Sequence, residues 1–256
     1  MASSGVHSDK LNRPAPRRVF IGTAGWSIPR ASAHRFDREG SHLQKYVAVL
    51  SATEINSSFY RWHELATYRK WALWTPRKFR FAVKLPRIIT HDQQLTRVRL
   101  PLERFLKETS GLRAKRGPLL IQLPPSFAFE RRRVKNFLEM LRARYAGPLV
   151  CEPRHETWFS SIAAELLVSY RVARVAADPA IVEIGSRPGA WDGIFYFRLH
   201  GSPRKYWSRY SEEYIEVLTR RLTELSQSAE TWCIFDNTAS GSAIENALEL
   251  YRRIGS

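Results

Sequence analysis

From Val19 onward the chain alternates short apolar runs with amphipathic stretches, the pattern of repeated βαβ units around a parallel sheet. Eight runs predict strands: Val19–Thr23, Ala52–Asn56, Phe79–Lys84, Pro118–Gln122, Pro148–Glu152, Val172–Ala176, Ile194–Leu199 and Thr231–Phe235. Their near-continuous Val, Ile, Leu and Phe content suits strands covered on both faces. Between the fourth and fifth runs, Val134, Phe137, Leu138, Leu141 and Tyr145 recur at helical spacing. Arg131, Arg132, Lys135, Arg142 and Arg144 cover the other face, and Gly147-Pro148 stops the helix. Tyr214–Ser226 and Ala243–Ile254 behave similarly. Residues Asp178–Asp192 are broken by Gly and Pro and show no helical period, so a degenerate sixth helix is expected. With no internal repeat or linker, the pattern predicts an α/β chain folded as one closed (β/α)8 barrel of the TIM type over residues 19–256. An open doubly wound sheet is the alternative, but neither a Gly-x-Gly-x-x-Gly nor a phosphate-loop motif accompanies it.

The length of 256 residues matches the roughly 250 that such a barrel takes. A chain of that size needs no disulfide or metal for stability. Cys151 and Cys233 each lie in an apolar run and read as small core residues, in keeping with a reducing, cytoplasmic setting. Charge changes the picture more, because 41 Lys and Arg against 24 Asp and Glu give a net charge of +17. Residues 1–18 carry four of those cations against Asp9, a net of +3, which leaves +14 on the folded part. Such a field concentrates nucleic acid and other polyanions, although a solvated basic surface accounts for the count equally well. Residues 1–18 lack the apolar stretch of a signal peptide and read as a disordered basic leader. No apolar run reaches the length of a membrane span, and nothing calls for an obligate protein partner.

In a barrel of this kind, chemistry sits where each strand ends and the next loop begins. Those positions are unusually polar here. They supply Trp26, then Glu54, Asn56, Tyr60 and Arg61, then Lys84 with His91 further on, then Gln122. Beyond these come Glu152, Arg154, His155 and Trp158, then Asp178, then Arg198 and His200, and finally Asp236 and Asn237.

The stretches carrying these residues resemble the YecE-like family, the bacterial domain of unknown function numbered seventy-two. They read IGTAGWS at Ile21–Ser27, EINSSFYR at Glu54–Arg61 and the Thr75–His91 stretch with Lys84 and its Ile-Thr-His end. They continue with QLPPS at Gln122–Ser126, EPRHETW at Glu152–Trp158, FRLHG at Phe197–Gly201 and FDNT at Phe235–Thr238. The resemblance runs from about Val19 to Ile254; it implies a TIM-type barrel and no established reaction. The chain departs from the family pattern at Ile28–Phe36 (IPRASAHRF), where an aromatic-rich stretch is usual. Pro153 stands where an aromatic is common, and Asp236 where Asn is usual.

The residues themselves say more about chemistry. Period-two alternation puts Arg198 and His200 on one face of the seventh strand, and Arg80, Ala82 and Lys84 on one face of the third. A guanidinium inside an apolar strand requires a carboxylate, for which Glu152, Asp178 and Asp236 are the candidates. A metal site built from Glu152, His155, Asp178, His200 and Asp236 lacks a close ligand spacing and faces too many cations, so none is assigned and the cofactor stays open. Gln122 and His200 stand where barrel glycosidases often carry carboxylates, which argues against glycoside hydrolysis.

Acid–base chemistry on an anionic substrate fits best. The expected catalytic set is Glu152, His155, His200, Lys84 and Asp178. Trp26, Asn56, Tyr60, Arg61, Gln122, Arg154, Trp158, Arg198, Asp236 and Asn237 would bind a phosphorylated small molecule or nucleic acid, the aromatics by stacking. A second anion corner is expected where Arg204 and Lys205 face the Asn237–Ser242 loop at the start of the last helix. Phosphoester chemistry is thus the first expectation. A nucleic-acid- or nucleotide-binding barrel without turnover is the second.

Overall fold

The computed structural model describes residues 19–37 and 39–255; the leader expected over residues 1–18 lies outside them. Ten strands are present: β1 (Val19–Thr23), β2 (Ala52–Ile55), β3 (Arg80–Lys84), β4 (Arg116–Gln122), β5 (Leu149–Glu152), β6 (Val172–Arg174), β7 (Ala176–Asp178), β8 (Gly189–Ala190), β9 (Ile194–Leu199) and β10 (Glu230–Phe235). Nine of them fall on the eight apolar runs, with β6 and β7 sharing the sixth, interrupted at Val175. The two-residue β8 is additional and pairs antiparallel with β6; it is too short to leave a periodic signal. Every other pairing is parallel. The helices that pack against the strands include α1 (His42–Val47), α2 (Ser57–Tyr60), α3 (Leu65–Leu73), α4 (Arg99–Thr109), α5 (Arg131–Arg142), α6 (Ser161–Ser169), α7 (Glu212–Leu225) and α8 (Ser242–Gly255). Between β7 and β9 the helical content is a single 3-10 turn, Glu183–Ser186.

The architecture is α/β, with parallel-rich sheets in a TIM-like order. Hydrogen-bonded pairing divides into two sheets, β1-β10-β9-β7 and β2-β3-β4-β5-β6-β8, where the sequence predicts one continuous ring. The reason lies at two seams. β6 and β7 are separated only by Val175, and the first pairs with β5 while the second pairs with β9. Between β1 and β2, side-chain hydroxyls take the place of a backbone ladder. Tyr46 Oη accepts from the Thr23 N–H (2.8 Å) and donates to the Ala52 carbonyl (2.9 Å), and Ser51 Oγ accepts from the Ile21 N–H (3.0 Å). A single parallel bridge, Ala24 to Glu54, completes this seam. Gly22 permits the approach, since a Cβ there would lie 1.9 Å from the Ala52 carbonyl oxygen.

Alternation along the strands sorts side chains into two cores. Outward residues such as Val83, Ile121, Cys151, Phe197 and Phe235 join the main cluster with residues of the surrounding helices. Val134, Phe137, Leu138 and Leu141 of α5 are buried, as their spacing requires. Inward residues form a smaller cluster: Ala52, Ala82, Leu120, Val150, Ala173, Val175, Ile194, Tyr196, Trp232 and Ile234. One step further along each strand, the inward positions change from apolar to polar. That change creates the site.

Candidate functional site

The polar layer consists of the residues two places beyond the inward apolar ones. Glu54 follows Ala52, Lys84 follows Ala82, Gln122 follows Leu120 and Glu152 follows Val150; Arg198 and His200 follow Tyr196, and Asp236 follows Ile234. Arg198, fully buried, is its centre. Its guanidinium donates to both Glu54 oxygens (Nε–Oε2 3.0 Å, Nη2–Oε1 2.7 Å), to Glu152 Oε2 (2.6 Å) and to Asp236 Oδ2 (3.1 Å). The fork of five N–H donors is what allows one cation to satisfy three carboxylates. Tyr196 Oη donates to Glu54 Oε2 (2.8 Å) from below. His200 bridges the other two carboxylates, with Nδ1 3.0 Å from Asp236 Oδ2 and Nε2 2.9 Å from Glu152 Oε1. Burial raises the Glu152 carboxyl, but Arg198 and then His200 outweigh it and hold the group well below its ordinary range. Asp236 follows the same pattern, lowered by Arg198 and His200 against its burial. Both therefore stay ionised across the neutral range.

Above this layer lies a cavity of about 360 Å³, lined by Asn56, Phe59, Tyr60, Lys84, Arg87, His91, Gln122, Arg154, Tyr206, Asp236 and Thr238. Its volume is in the range of small-molecule sites. Lys84 reaches it from the end of β3 with Nζ 4.0 Å from the centre of the Phe59 ring. No carboxylate among the described residues lies within ion-pair distance of Nζ. Burial, then Arg198, push its pKa down to about 8, with Glu54, Glu152 and Asp236 opposing. His91 stacks edge-on against the same Phe59 (4.8 Å). Burial and the cations Lys84, Arg87 and Arg154 lower its pKa to about 4, so it is neutral at pH 7. Arg154 crosses the rim, donating to Glu152 Oε1 (3.3 Å) and to Tyr206 Oη (3.0 Å). Tyr206 adopts a left-handed backbone conformation (φ 65°) that a β-carbon disfavours. This turns its ring onto His200 (5.5 Å) as it meets Arg154. A strained residue placed over a buried polar cluster is a common mark of a working site.

The chain matches the family described as "Protein of unknown function DUF72" over residues 20–256. It belongs to that family. The UPF0759 protein YunF of Bacillus subtilis (strain 168) is 24% identical to this DUF72 chain over 267 residues, spanning 91% of this chain and 93% of YunF. The UPF0759 protein YecE of Escherichia coli (strain K12) is 27% identical over 144 residues, 56% of this chain and 50% of YecE. The crystal structure of a DUF72 family protein from Thermotoga maritima superposes with a TM-score of 0.77 at 26% identity, covering 93% of this chain and 99% of that one. A 3-keto-D-glucoside 4-epimerase, YcjR, from E. coli shares the fold at TM-score 0.55 and 10% identity, over 93% and 99% of the two chains.

The DUF72 chain brings together Lys84, Gln122, Glu152, Arg154, Arg198, His200, Asp236, Asn56 and Tyr60 of the residues expected from sequence. Several others fall elsewhere. His155 caps the 3-10 turn Glu156–Phe159, its Nδ1 accepting from the Thr157 N–H, and is not part of the polar layer. Trp158 is core: its ring packs on Phe127 and Phe129, and its Nε1 donates to the Phe127 carbonyl (2.9 Å). Asp178, one of three candidate partners for Arg198, instead accepts from Tyr210 Oη (2.8 Å) in the segment leading into α7. Trp26 packs edge-on against Trp71 and Phe81. Arg61 is exposed and does not line the cavity.

Asn237 is a buried brace that donates to the Ser208 carbonyl (2.9 Å) and Asn246 Oδ1 (3.1 Å). The expected anion corner is differently built. The two loops do face each other, but the Ala239 N–H donates to the Tyr206 carbonyl, Gly241 to Thr238, and Ala243 to Asn237, so these amides are already used. Arg204 lies on the Trp207 ring (4.6 Å), on the exposed side. Lys205 sits beside Glu152, Arg154 and His200 in a small pocket next to the main cleft. His200 is also less free than expected. Both ring nitrogens face carboxylates, and the side chain is buried, so it organises the layer and does not reach the cavity. Glu54 is the partner that sequence reasoning overlooked. A carboxylate in the otherwise uncharged run Ala52–Ile55, in phase with inward Ala52, was the available signal.

Proposed function

We propose that the cleft binds the anionic end of a phosphorylated small molecule or nucleotide and transfers a proton within it. The carrying observation is the division of labour among its cations. Arg198 is consumed by three carboxylates, whereas Lys84, Arg87 and Arg154 line the open cavity. In this reading Arg154 and Arg87 hold the anion, and Tyr206, Gln122 and Asn56 fix its orientation. Lys84, its pKa lowered by burial to about 8, replaces His200 as the acid–base group for phosphoester chemistry. Glu152 and Asp236 keep the layer beneath rigid and charged. The fold in this reading is a (β/α)8 barrel closed across the hydroxyl-stitched β1–β2 seam, with the Glu183–Ser186 turn as its degenerate sixth helix. The two buried free cysteines are in keeping with a cytoplasmic setting, and no helix among the described residues is long and apolar enough to cross a membrane.

Calorimetric titration of inorganic phosphate and a nucleoside monophosphate, paired with turnover of an aryl phosphate, tests the reading. Wild type should bind, Arg154→Ala should bind at least about tenfold more weakly, and Lys84→Met should keep most binding while losing turnover. Binding in wild type without turnover on any phosphoester would favour the nucleotide-binding barrel. No binding, or equal binding by Arg154→Ala, would overturn the assignment of the cleft.

A further inference from the structure

We propose that Lys84 is a covalent nucleophile that forms an imine with the carbonyl group of a small anionic aldehyde, ketone or oxo acid bound in the cleft. The proposal rests on the cleft being an anion site, and not on the phosphoester step.

The surroundings of the amine carry it. Within the polar layer the guanidinium groups are paired with carboxylates: Arg198 meets Glu54, Glu152 and Asp236, and Arg154 at the rim meets Glu152. Lys84 is nearly as deeply buried (6% exposed), yet its nearest recorded partner is an aromatic face. A lysine kept only to balance charge would be expected to share a carboxylate, since three stand in the same layer. Instead Nζ lies against Phe59 on one side and opens onto a cavity large enough for a small ligand. The depressed pKa agrees with a substantial neutral fraction in the mildly alkaline range. Arg154 and Arg87 supply charge for a phosphate or carboxylate on the same ligand. Phe59 would then face the planar iminium cation as it now faces the ammonium.

The step balances without another reactant. The neutral amine adds to the carbonyl carbon, forming the C–N bond. Both amine hydrogens then leave with the carbonyl oxygen as water, giving the imine. A proton on the imine nitrogen makes it an electron sink for the adjacent bond.

Borohydride trapping with peptide mapping by mass spectrometry tests it. The folded protein is incubated with one equivalent of pyridoxal 5′-phosphate, an anionic aldehyde, and reduced. In parallel, pyridoxal without the phosphate is used. The Lys84 peptide should carry at least about ten times the label of any other lysine with the phosphate ester, and much less with pyridoxal. Lys84→Arg keeps the cation and should lose the label while binding inorganic phosphate within about threefold of wild type. Lys84→Met, with folding checked by thermal melting, guards against a folding artefact. Label spread evenly over surface lysines, or unchanged in total in both variants, overturns the proposal. Equal labelling by pyridoxal and its phosphate overturns its anionic half. Phosphate binding retained without Lys84 label removes the imine and leaves the anion site standing. Loss of both removes the anion site as well.

Discussion

At the scale of single residues, Arg198 and Lys84 are two buried cations handled in opposite ways. Removing the guanidinium in Arg198→Met would leave Glu54, Glu152 and Asp236 crowded in a water-poor layer. A loss of about 3–5 kcal/mol in urea unfolding is expected, against about 1 kcal/mol for Tyr196→Phe, which deletes one hydrogen bond to Glu54. Lys84 should respond with the reverse sign. Its folded pKa, about 8, lies below the ordinary 10.5. Below pH 8 both states are protonated, and the folded state bears the full cost of a desolvated ammonium. Between pH 8 and 10.5 the folded state releases its proton first, and that cost fades. Lys84→Met should therefore be more stable than wild type at pH 7, by on the order of 2 kcal/mol, with the difference shrinking toward pH 10.5. Paired urea melts at pH 7 and pH 10 would check this; a difference that grows with pH would refute the placement of Lys84.

At the scale of elements, the β1–β2 seam is where the architecture depends on side chains instead of backbone pairing. Tyr46 serves two strands with one hydroxyl, and burial raises that hydroxyl's pKa to about 12, so it remains a donor at any working pH. Tyr46→Phe leaves the Thr23 N–H and the Ala52 carbonyl without their partner. A loss of about 2–3 kcal/mol is expected in thermal or denaturant melts, with faster amide exchange at Thr23 as the local signature. Gly22→Ala should be worse, because its clash is with backbone that cannot turn aside. The helices show the opposite reliance on local signals. Ser160, Ser211 and Glu130 accept from the first-turn amides of α6, α7 and α5, so these starts are determined by neighbours within three residues.

At the scale of the whole molecule, the net charge of +17 sets a background that any anion encounters before the cleft. Binding of phosphate or nucleotide should therefore weaken as salt rises. Site and background separate by mutation. Arg204, stacked on Trp207 at the exposed rim, contributes mainly to the field, so Arg204→Ala should change affinity less than threefold at about 150 mM salt, where the Debye length is about 8 Å. Arg154→Ala should cost about tenfold or more at the same salt. Equal effects of the two, measured by calorimetry at low and moderate salt, would mean that binding is delocalised over the surface.

The sequence by itself determined the order of apolar runs and the phase of polar residues within them. Ala82 to Lys84, Tyr196 to Arg198 and His200, and Val150 to Glu152 are period-two steps, and a strand's pleat converts them directly into a shared inward face. That is why the TIM-like order and most of the polar layer were legible. Glu54 obeys the same rule and was readable in principle. What the sequence could not decide is which carboxylate meets Arg198, because Glu54 and Arg198 lie far apart in the chain and meet only when strands from the two sheets face one another across the interior. Asp178 shows the converse: it follows the sixth run as expected, but its carboxylate accepts from Tyr210 and does not meet Arg198. His155 and Trp158 belong to a loop whose direction follows from its cap and its packing, neither visible as a periodic signal. Lys84 was placed at the mouth by alternation alone, yet its lack of a carboxylate partner, its contact with Phe59 and its lowered pKa arise from the tertiary fold. Those properties depend on distance and burial, which no one-dimensional pattern carries.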